Sequence, residues 1–196
     1  MFTRETAEAL KEFKVTEAKN NLTYQAKLHP LFKCDTKKVV IHRGSNQPHV
    51  LFIGEAPGFT ENKIGQPFVG PSGKVIDKWA DTLGCYVAFV NTVPLIPLNE
   101  QGKIRPPTDK EIDHFRPYTK YLIKMLNPKY IICVGKSASR FLQTTFTLKQ
   151  WDLWDGIPVG YIYHPAYYLR NGQEGTNDFE DLMRNSNTFL LTTKLV

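Results

Sequence analysis

The sequence predicts an α/β fold: a single domain with a central four-stranded, parallel, twisted sheet flanked by helices. Three observations support this prediction. Four short segments are rich in β-branched residues and nearly continuous in hydrophobicity, as strands covered on both faces are. Segments with helical spacing separate them, which favours parallel strands with helices on both sides. A chain of 196 residues is most naturally one domain with a large core.

The predicted elements follow one another along the chain. A helix over Glu5–Ala18 opens residues 1–27, which form a helical extension before the sheet. The predicted strands are His49–Ile53, Tyr86–Val90, Tyr130–Val134 and Val159–Tyr163. The later predicted helices are Gly73–Leu83, Thr108–Leu126, which begins with a capping-box pattern, and Asp178–Leu191. The longest irregular segment, Pro94–Pro107, has a length that is typical of functional loops.

Composition narrows the class of protein. The net charge of +6 favours polyanionic partners. No apolar run approaches the roughly 20 residues that cross a bilayer, and the N-terminal segment lacks the apolar region of a secretory signal. The three cysteines form no CxxC pair and indicate no disulfide framework. We therefore expect an intracellular, cytoplasmic monomer that contacts no membrane.

Open α/β sheets bind ligands beyond the carboxyl ends of their strands. This rule selects four places, which begin at Gly54, Asn91, Gly135 and His164. The first is a glycine-dense stretch suited to presenting N–H groups to an anion, but it has neither a P-loop nor a dinucleotide pattern. The segment Gly135-Lys136-Ser137 has the pattern of an ordinary strand-to-helix turn, and we assign it no chemistry.

The motifs at the other three places resemble those of family 4 uracil-DNA glycosylases. The segment GEAPGFTENKIGQPFVGPSGKVID is similar to that family's GE(A/G)PG, acidic pair and GxPFVGxxG. VNTV resembles its motif with a base-reading asparagine, and HPAYYLR resembles its HP(S/A)xxLR motif. RPPT and RPY occur between them in the family's order, so the resemblance runs from about Leu28 to Arg170.

The resemblance implies a monofunctional DNA glycosylase that acts on single- or double-stranded DNA, in association with the nucleoid. Such an enzyme flips a pyrimidine, here uracil, out of DNA and hydrolyses its N-glycosidic bond, leaving an abasic site. The reaction builds positive charge on the sugar and negative charge on the departing base. It therefore requires a stacking surface, hydrogen bonds to the base edge and a donor that favours the developing anion.

The resemblance also assigns roles to individual residues. Phe68 is the platform on which the base stacks. Asn91 reads the base edge: its amide matches O4 and N3–H of uracil, although a flipped amide would match cytosine. His164 donates to O2 as charge accumulates there. The remaining residues implied at the base or the sugar are Gly54, Glu55, Ala56 and Glu61, of which the two glutamates are catalytic candidates.

A second group of residues is expected to contact DNA outside the base pocket. Gly70, Ser72 and Gly73 would bind phosphates through backbone N–H groups and a hydroxyl. A wedge of Tyr168 and Leu169 would fill the space that the base leaves, with Arg170 on a phosphate. From the long loop, Lys103 and Arg105 either contact the DNA backbone or remain solvated.

The sequence departs from the family at its iron–sulfur cluster, which four cysteines bind. Cys34 stands at the first of these positions, but Lys37, about Leu95 and about Phe115 stand at the others. We therefore expect no cofactor, no metal and no cluster, and apolar packing in its place. The segment from Asn99 to Pro107 also lacks the histidine through which a related subgroup becomes trapped on the abasic sugar.

Two alternatives to uracil excision remain open at this stage. Gly58 stands where other uracil enzymes place an aromatic side chain against C5, so the target could be a C5-modified pyrimidine such as those of phage DNA. The second alternative is a catalytically silent DNA-binding or decoy relative. The joint presence of Glu55, Phe68, Asn91 and His164 argues against a decoy, because a mere binder needs no such set.

Overall fold

The computed structural model describes residues 4–32 and 37–193, with side chains over 5–32 and 37–186. The helices in these ranges are α1 (Arg4–Leu28), α2 (Phe59–Ile64), α3 (Pro71–Asp81), α4 (Asp109–Leu126), α5 (Lys136–Leu142), α6 (Pro165–Arg170) and α7 (Thr176–Thr193). The strands are β1 (His42–Gly44), β2 (Val50–Gly54), β3 (Val87–Asn91), β4 (Tyr130–Val134), β5 (Trp151–Trp154) and β6 (Ile157–Ile162).

The described strands form one sheet in the order β1-β3-β2-β4-β6-β5. The four inner strands are parallel and correspond to the four predicted ones. Two further strands, β1 and β5, pair antiparallel at the two edges. The α/β class is confirmed, whereas the predicted number of four strands is wrong. Strand β1 escaped prediction because its three residues, His-Arg-Gly, carry no apolar pattern.

The second additional strand, β5, forms a tight hairpin with β6. Asp155 and Gly156 connect the two strands and have positive φ angles of 47° and 78°. An Asp-Gly pair between two strands is a strong hairpin signal, because both central residues of the favoured turn require positive φ. This signal is present in the sequence, so the hairpin was predictable from it even though β5 is amphipathic and not continuously apolar.

Helices cover both faces of the sheet, as predicted. On one face, the core includes Leu22 of α1, Phe115 of α4 and Phe141 of α5. On the other face, α3 and α7 contribute Trp79 and Phe179, whose rings stack with their centroids 5.3 Å apart. Fully burying a large apolar side chain contributes about 1.5–3 kcal/mol. These two layers therefore fix the sheet from both sides.

Helix α1 is longer than the predicted Glu5–Ala18, since it continues to Leu28. Val15, Ala18, Leu22 and Ala26 recur at helical spacing, and all four are buried. The helix packs against α4, which buries these four side chains. Their burial stabilises the helix beyond Ala18, through a polar stretch in which the sequence pattern is weak. None of the helices in the described ranges is long and apolar enough to span a membrane.

Helix α4 begins as the capping-box pattern predicts. The Thr108 hydroxyl accepts from the backbone N–H of Glu111 at 3.2 Å, and the Glu111 carboxylate accepts from the backbone N–H of Thr108 at 2.7 Å. Two N–H groups that the first helical turn leaves without a partner are thereby satisfied. Helix α4 consequently starts at a fixed point directly after the long loop 94–107.

Candidate active site

The carboxyl ends of the four parallel strands meet at one edge of the sheet. Asn91 ends β3 directly beside Gly54, which ends β2. Gly135 follows β4, and its N–H donates to the carbonyl of Ile162, the last residue of β6 (2.8 Å). A Cβ atom on Gly135 would lie 3.3 Å from that of His164. The structure thus brings together the strand ends that the sequence selected, including the turn to which it assigned no chemistry.

Phe68 has an unusual backbone conformation for a bulky residue. Its φ angle is 54°, in the left-handed region that such residues rarely adopt. Two glycines make this placement possible. A Cβ atom on Gly54 would lie 2.3 Å from Cζ of Phe68, and one on Gly73 would lie 2.0 Å from its carbonyl oxygen. Strain of this kind costs on the order of 1–3 kcal/mol and clusters at functional sites.

The Phe68 ring packs into the core on one side and borders the site on the other. It is 5% exposed, and its centroid lies 6.5 Å from that of His164 at an interplanar angle of 29°. Oδ1 of Asn91 would lie 2.6 Å from the same Cβ on Gly54. Arg43 braces the loop, because its Nε donates to the carbonyl of the residue before Phe68 at 3.0 Å. The three side chains predicted to contact the base therefore lie close together at this edge of the sheet.

His164 occupies the N-cap of α6, which determines its tautomer. Nδ1 accepts a hydrogen bond from the backbone N–H of Ala166 at 3.2 Å. Burial, together with a smaller effect of the nearby Arg170 cation, lowers the pKa of His164 to about 4, and Glu61 opposes this shift only in part. The imidazole is therefore neutral near pH 7, with its proton on Nε2. Nε2–H is a hydrogen-bond donor that the cap leaves unused.

Glu55 follows β2 and is held by a residue from the neighbouring strand end. The hydroxyl of Ser137 donates to Oε2 of Glu55 at 2.5 Å, and Ser137 is 3% exposed. The carbonyl of Glu55 accepts from the Thr92 hydroxyl at 2.6 Å. Ser137 lies at the candidate site, and sequence reasoning missed it. The sequence Gly-Lys-Ser has no feature that marks it as functional. The closeness of Ser137 to Glu55 becomes evident only once β2 and β4 are known to be neighbours.

Glu61 ties two loops together. One carboxylate oxygen accepts from the N–H of Gly58 (3.1 Å), and the other accepts from the N–H groups of Val69 (3.1 Å) and Gly70 (2.7 Å). Both oxygens are thus engaged by backbone, so the carboxylate organises the loop that carries Phe68. The Gly70 N–H, which is expected from the sequence on a phosphate, donates to Glu61 in this structure.

Ser72 and Gly73 lie in the first turn of α3, directly after Pro71. The N–H groups of a first helical turn have no acceptor within the helix and are suited to bind an anion. Ser72 is half-buried and Gly73 is buried. Gly73 has a packing role as well, since any side chain at this position would collide with the backbone of Phe68.

Comparison with known proteins decides the family. The profile of the Uracil DNA glycosylase superfamily matches residues 41–187 of the chain. The chain belongs to this superfamily of DNA glycosylases. It is similar to the type-4 uracil-DNA glycosylase of Archaeoglobus fulgidus, at 28% identity across 76% of this chain and 85% of that protein. The type-4 enzymes of Pyrobaculum aerophilum (31% identity, 74% and 84%) and Thermotoga maritima (30% identity, 68% and 72%) are similar too. The resemblance to family 4 is thereby confirmed.

The structure of helix α6 differs from the predicted wedge of Tyr168 and Leu169. Tyr168 is 2% exposed and donates to Asp178 through its hydroxyl at 2.9 Å, so it is a core residue that cannot enter DNA. Its neighbours Tyr167 and Leu169 are 44% and 40% exposed, and Arg170 is exposed. Within this helix, Tyr168 faces the core, whereas Tyr167 and Leu169 face solvent.

The two basic residues of the long loop differ in their surroundings. Arg105 donates to both carboxylate oxygens of Glu111, at 2.9 and 2.6 Å. Burial alone would raise the pKa of Glu111, but hydrogen bonds from Arg105 and Thr108 lower it to about 2. Arg105 therefore anchors the loop to α4, whereas Lys103 is exposed. The pairing of Arg105 was not expected from the sequence.

The positions implied for cluster cysteines do not fit an iron–sulfur centre. Leu95 and Phe115 are fully buried in one apolar cluster, and Lys37 is 8% exposed. Cys34 lies outside the described residues. Within the described ranges, no three His, Cys, Asp or Glu residues come close enough to hold a metal ion. Packed apolar side chains offer an iron centre no ligands.

This packing leads to a prediction about metal content. Protein purified under anaerobic conditions should contain no stoichiometric iron and show no broad absorbance near about 400 nm, because thiolate ligands are missing at three positions. Elemental analysis and the visible spectrum measure this, with a type-4 relative prepared in parallel as the positive control. Stoichiometric iron in the protein would contradict the assignment of these positions.

Proposed function

We propose that this protein is a cofactor-independent, monofunctional glycosylase that removes uracil from DNA. One observation carries the proposal: at the carboxyl edge of the sheet, the Phe68 ring lies beside a neutral His164, and Phe68 and Asn91 both approach Gly54. Three relatives that are named uracil-DNA glycosylases add support.

Recognition of the base follows from the chemistry of these side chains. The Phe68 ring offers a flat apolar surface for an extruded base, and stacking of this kind is worth about 1–3 kcal/mol. The Asn91 amide is 5% exposed and pairs with O4 and N3–H of uracil. Gly54 keeps Phe68 and Asn91 close together, since a side chain at this position would displace both. Ala56 packs partly against the core and adds only a small apolar contact beside the base.

His164 acts when the glycosidic bond breaks. The electron pair of that bond departs with the base, and negative charge accumulates on its O2. The neutral imidazole carries its proton on Nε2, so it donates a hydrogen bond to this oxygen directly. The Nδ1 cap to Ala166 holds the ring in place, so little reorganisation is needed as charge develops.

Glu55 acts on the other fragment. As the base leaves, C1′ of the sugar gains positive charge, and a nearby carboxylate stabilises it. Water then adds to C1′ and loses a proton, the base anion takes up a proton, and free uracil and a deoxyribose without a base remain. Glu61 supports this chemistry indirectly by holding the Phe68 loop. We therefore assign the catalytic carboxylate to Glu55 and a structural role to Glu61.

A second set of residues contacts the phosphates and the base stack of the DNA next to the flipped base. Ser72 and Gly73 at the start of α3 suit one phosphate. Leu169 projects from α6 with 40% of its surface exposed, as a wedge into the vacated stack requires. Arg170 follows it and suits a neighbouring phosphate. Lys103 adds an exposed cation from the long loop.

A panel of oligonucleotides tests the proposal. Purified protein is incubated with single- and double-stranded DNA that carries uracil, hydroxymethyluracil or glucosylated hydroxymethylcytosine, and abasic sites are then cleaved with alkali. We expect cleavage at uracil. Cleavage confined to a C5-modified base would replace the proposed substrate, and binding without cleavage of any base would identify a decoy.

Gly58 has a structural explanation that does not depend on the substrate. A Cβ atom at this position would lie 2.8 Å from Oε2 of Glu61, and the Gly58 N–H donates to the same carboxylate. A side chain there would disturb the contact that organises the Phe68 loop. The absence of a side chain at Gly58 is therefore compatible with uracil as the substrate.

The role of Arg170 leads to a prediction about salt. Each phosphate contact contributes about one unit to the slope of log affinity against log salt. Arg170→Ala should therefore reduce this slope by about one, which fluorescence anisotropy at several salt concentrations measures. Lys110→Ala, an exposed lysine of α4, serves as the control. An unchanged slope for Arg170→Ala would remove Arg170 from the phosphate contacts.

The lowered pKa of His164 leads to a prediction about pH. Because the imidazole is neutral above a pH of about 4, single-turnover excision should show no loss from protonation of His164 between pH 8 and 5. Below that range, a proton on Nδ1 would remove the acceptor for Ala166. Nitrogen NMR of labelled imidazole should show the Nε2–H tautomer at pH 6. A titration of His164 near pH 6.5 would contradict the assigned state.

A further inference from the structure

We propose that Ser137 is a positioning residue for Glu55: its hydroxyl selects the orientation in which this carboxylate faces the sugar. The inference rests on the proposed function, because it concerns the same site. It adds a residue from the first turn of α5, directly after β4, the one strand end to which the sequence pattern assigned no chemistry.

The contact joins two elements that are distant in sequence. Ser137 and Glu55 are separated by 82 positions, and their side chains meet at 2.5 Å. Strands β2 and β4 are neighbours in the sheet, so the turns that follow them lie side by side. Ser137 is 3% exposed. Water therefore does not compete effectively for its hydroxyl, and hydrogen bonds to a carboxylate are short and strong.

The direction of the hydrogen bonds is fixed by Arg140. Its Nη2 donates to Oγ of Ser137 at 3.1 Å, while its Nη1 donates to Asp109 at 2.8 Å. A guanidinium group can only donate. The Ser137 oxygen is consequently the acceptor from Arg140, and its own proton points to Glu55. A neutral serine thereby connects the carboxylate to a cation that itself is held by an ion pair.

This arrangement leaves the two oxygens of Glu55 in different states. Oε2 accepts from Ser137, whereas none of the side chains described in residues 5–32 and 37–186 donates to Oε1. The backbone of Glu55 is also fixed, through the bond of its carbonyl to Thr92. With both ends of the residue restrained, one carboxylate oxygen stays available for the sugar or for water. Such restraint matters because misplacement of about 1 Å can cost on the order of 10²-fold in rate.

Ser139 provides a matched control on the same helix. It is 2% exposed, and its hydroxyl donates to the carbonyl of Lys136 at 2.9 Å. Ser137 and Ser139 are thus both buried serines of α5, but only the hydroxyl of Ser137 donates to Glu55. Replacement of either serine by alanine removes the same atom from the same helix.

The experiment measures single-turnover excision of uracil for Ser137→Ala, Ser137→Thr and Ser139→Ala. We expect Ser137→Ala to lower the single-turnover rate by about 10- to 100-fold with little change in affinity for substrate DNA, the range expected for a hydrogen bond to a charged group. Ser137→Thr keeps the hydroxyl and should restore most of the rate. Ser139→Ala should match the wild type. In a Glu55→Gln background, the further loss from Ser137→Ala should largely disappear.

Two results would overturn the inference while leaving uracil excision intact. One is a Ser137→Ala rate equal to that of Ser139→Ala. The other is a full, multiplicative loss in the Glu55→Gln background, which would show that Ser137 does not act through Glu55. A crystal structure of Ser137→Ala gives a readout that is independent of activity. If wild-type protein excised no base, an unmoved Glu55 carboxylate in that structure would refute the inference, and a displaced one would support it.

Discussion

Replacing His164 or Asn91 by alanine is expected to slow uracil excision by about 10²–10³-fold, with binding of substrate DNA nearly unchanged. Both side chains contact the departing base in the proposed mechanism, and their hydrogen bonds strengthen as negative charge reaches it. Interactions that are stronger in the transition state than in the ground state accelerate the reaction without tightening binding. Single-turnover rates and binding to uncleavable DNA separate the two effects.

Two further variants show whether this loss is specific to the base. Phe68→Ala should weaken capture of the flipped base by about 1–3 kcal/mol, since it removes a ground-state stacking contact. His114→Ala replaces an exposed histidine of α4, which contacts His29 at a ring distance of 4.6 Å, and should leave the rate unchanged. An active protein that tolerates loss of both His164 and Asn91 would refute the mechanism.

Gly54→Ala is expected to reduce excision by about 10²-fold or more. The added Cβ would lie 2.3 Å from Cζ of Phe68 and 2.6 Å from Oδ1 of Asn91. Both contacts are shorter than atoms allow, so at least one of these side chains has to move. Displacement of a reading or stacking group by about 1 Å is enough for a loss of this size. Excision assays, together with thermal unfolding of the variant, measure the effect.

A glycine in the β5–β6 turn supplies the control for Gly54. Gly156 has a positive φ of 78°, and no atom lies within 4 Å of a Cβ placed there. Asparagine tolerates such a backbone, so Gly156→Asn should retain both fold and activity. Wild-type activity in Gly54→Ala would show that Phe68 and Asn91 do not need the close approach seen in the structure.

Local patterns in the sequence predicted what depends on local physics. The four inner strands were predicted because strands covered on both faces are apolar at nearly every position. The start of α4 was predicted because Thr108 and Glu111 satisfy each other's N–H groups within four residues. The edge strands β1 and β5 were missed, since a short or half-exposed strand has no continuous apolar run.

Resemblance supplied the candidate site residues, but it did not reveal the surroundings of each side chain. Tyr168 and Leu169 are adjacent in one motif, yet the first is buried against Asp178 and the second is exposed. Glu61 was expected near the sugar, and its oxygens instead accept three backbone N–H groups. In each case the role depends on the partner that the fold supplies.

The sequence by itself determined the α/β class, the family and the residue types that the chemistry needs: an aromatic ring, an amide, an imidazole and a carboxylate. These follow from residues that are close together in the chain. The tertiary structure decided the contacts between residues far apart in sequence, such as the bond from Ser137 to Glu55 and the bond from Arg43 to the Phe68 loop. Such contacts depend on which strands become neighbours, and burial then determines the charge state of His164.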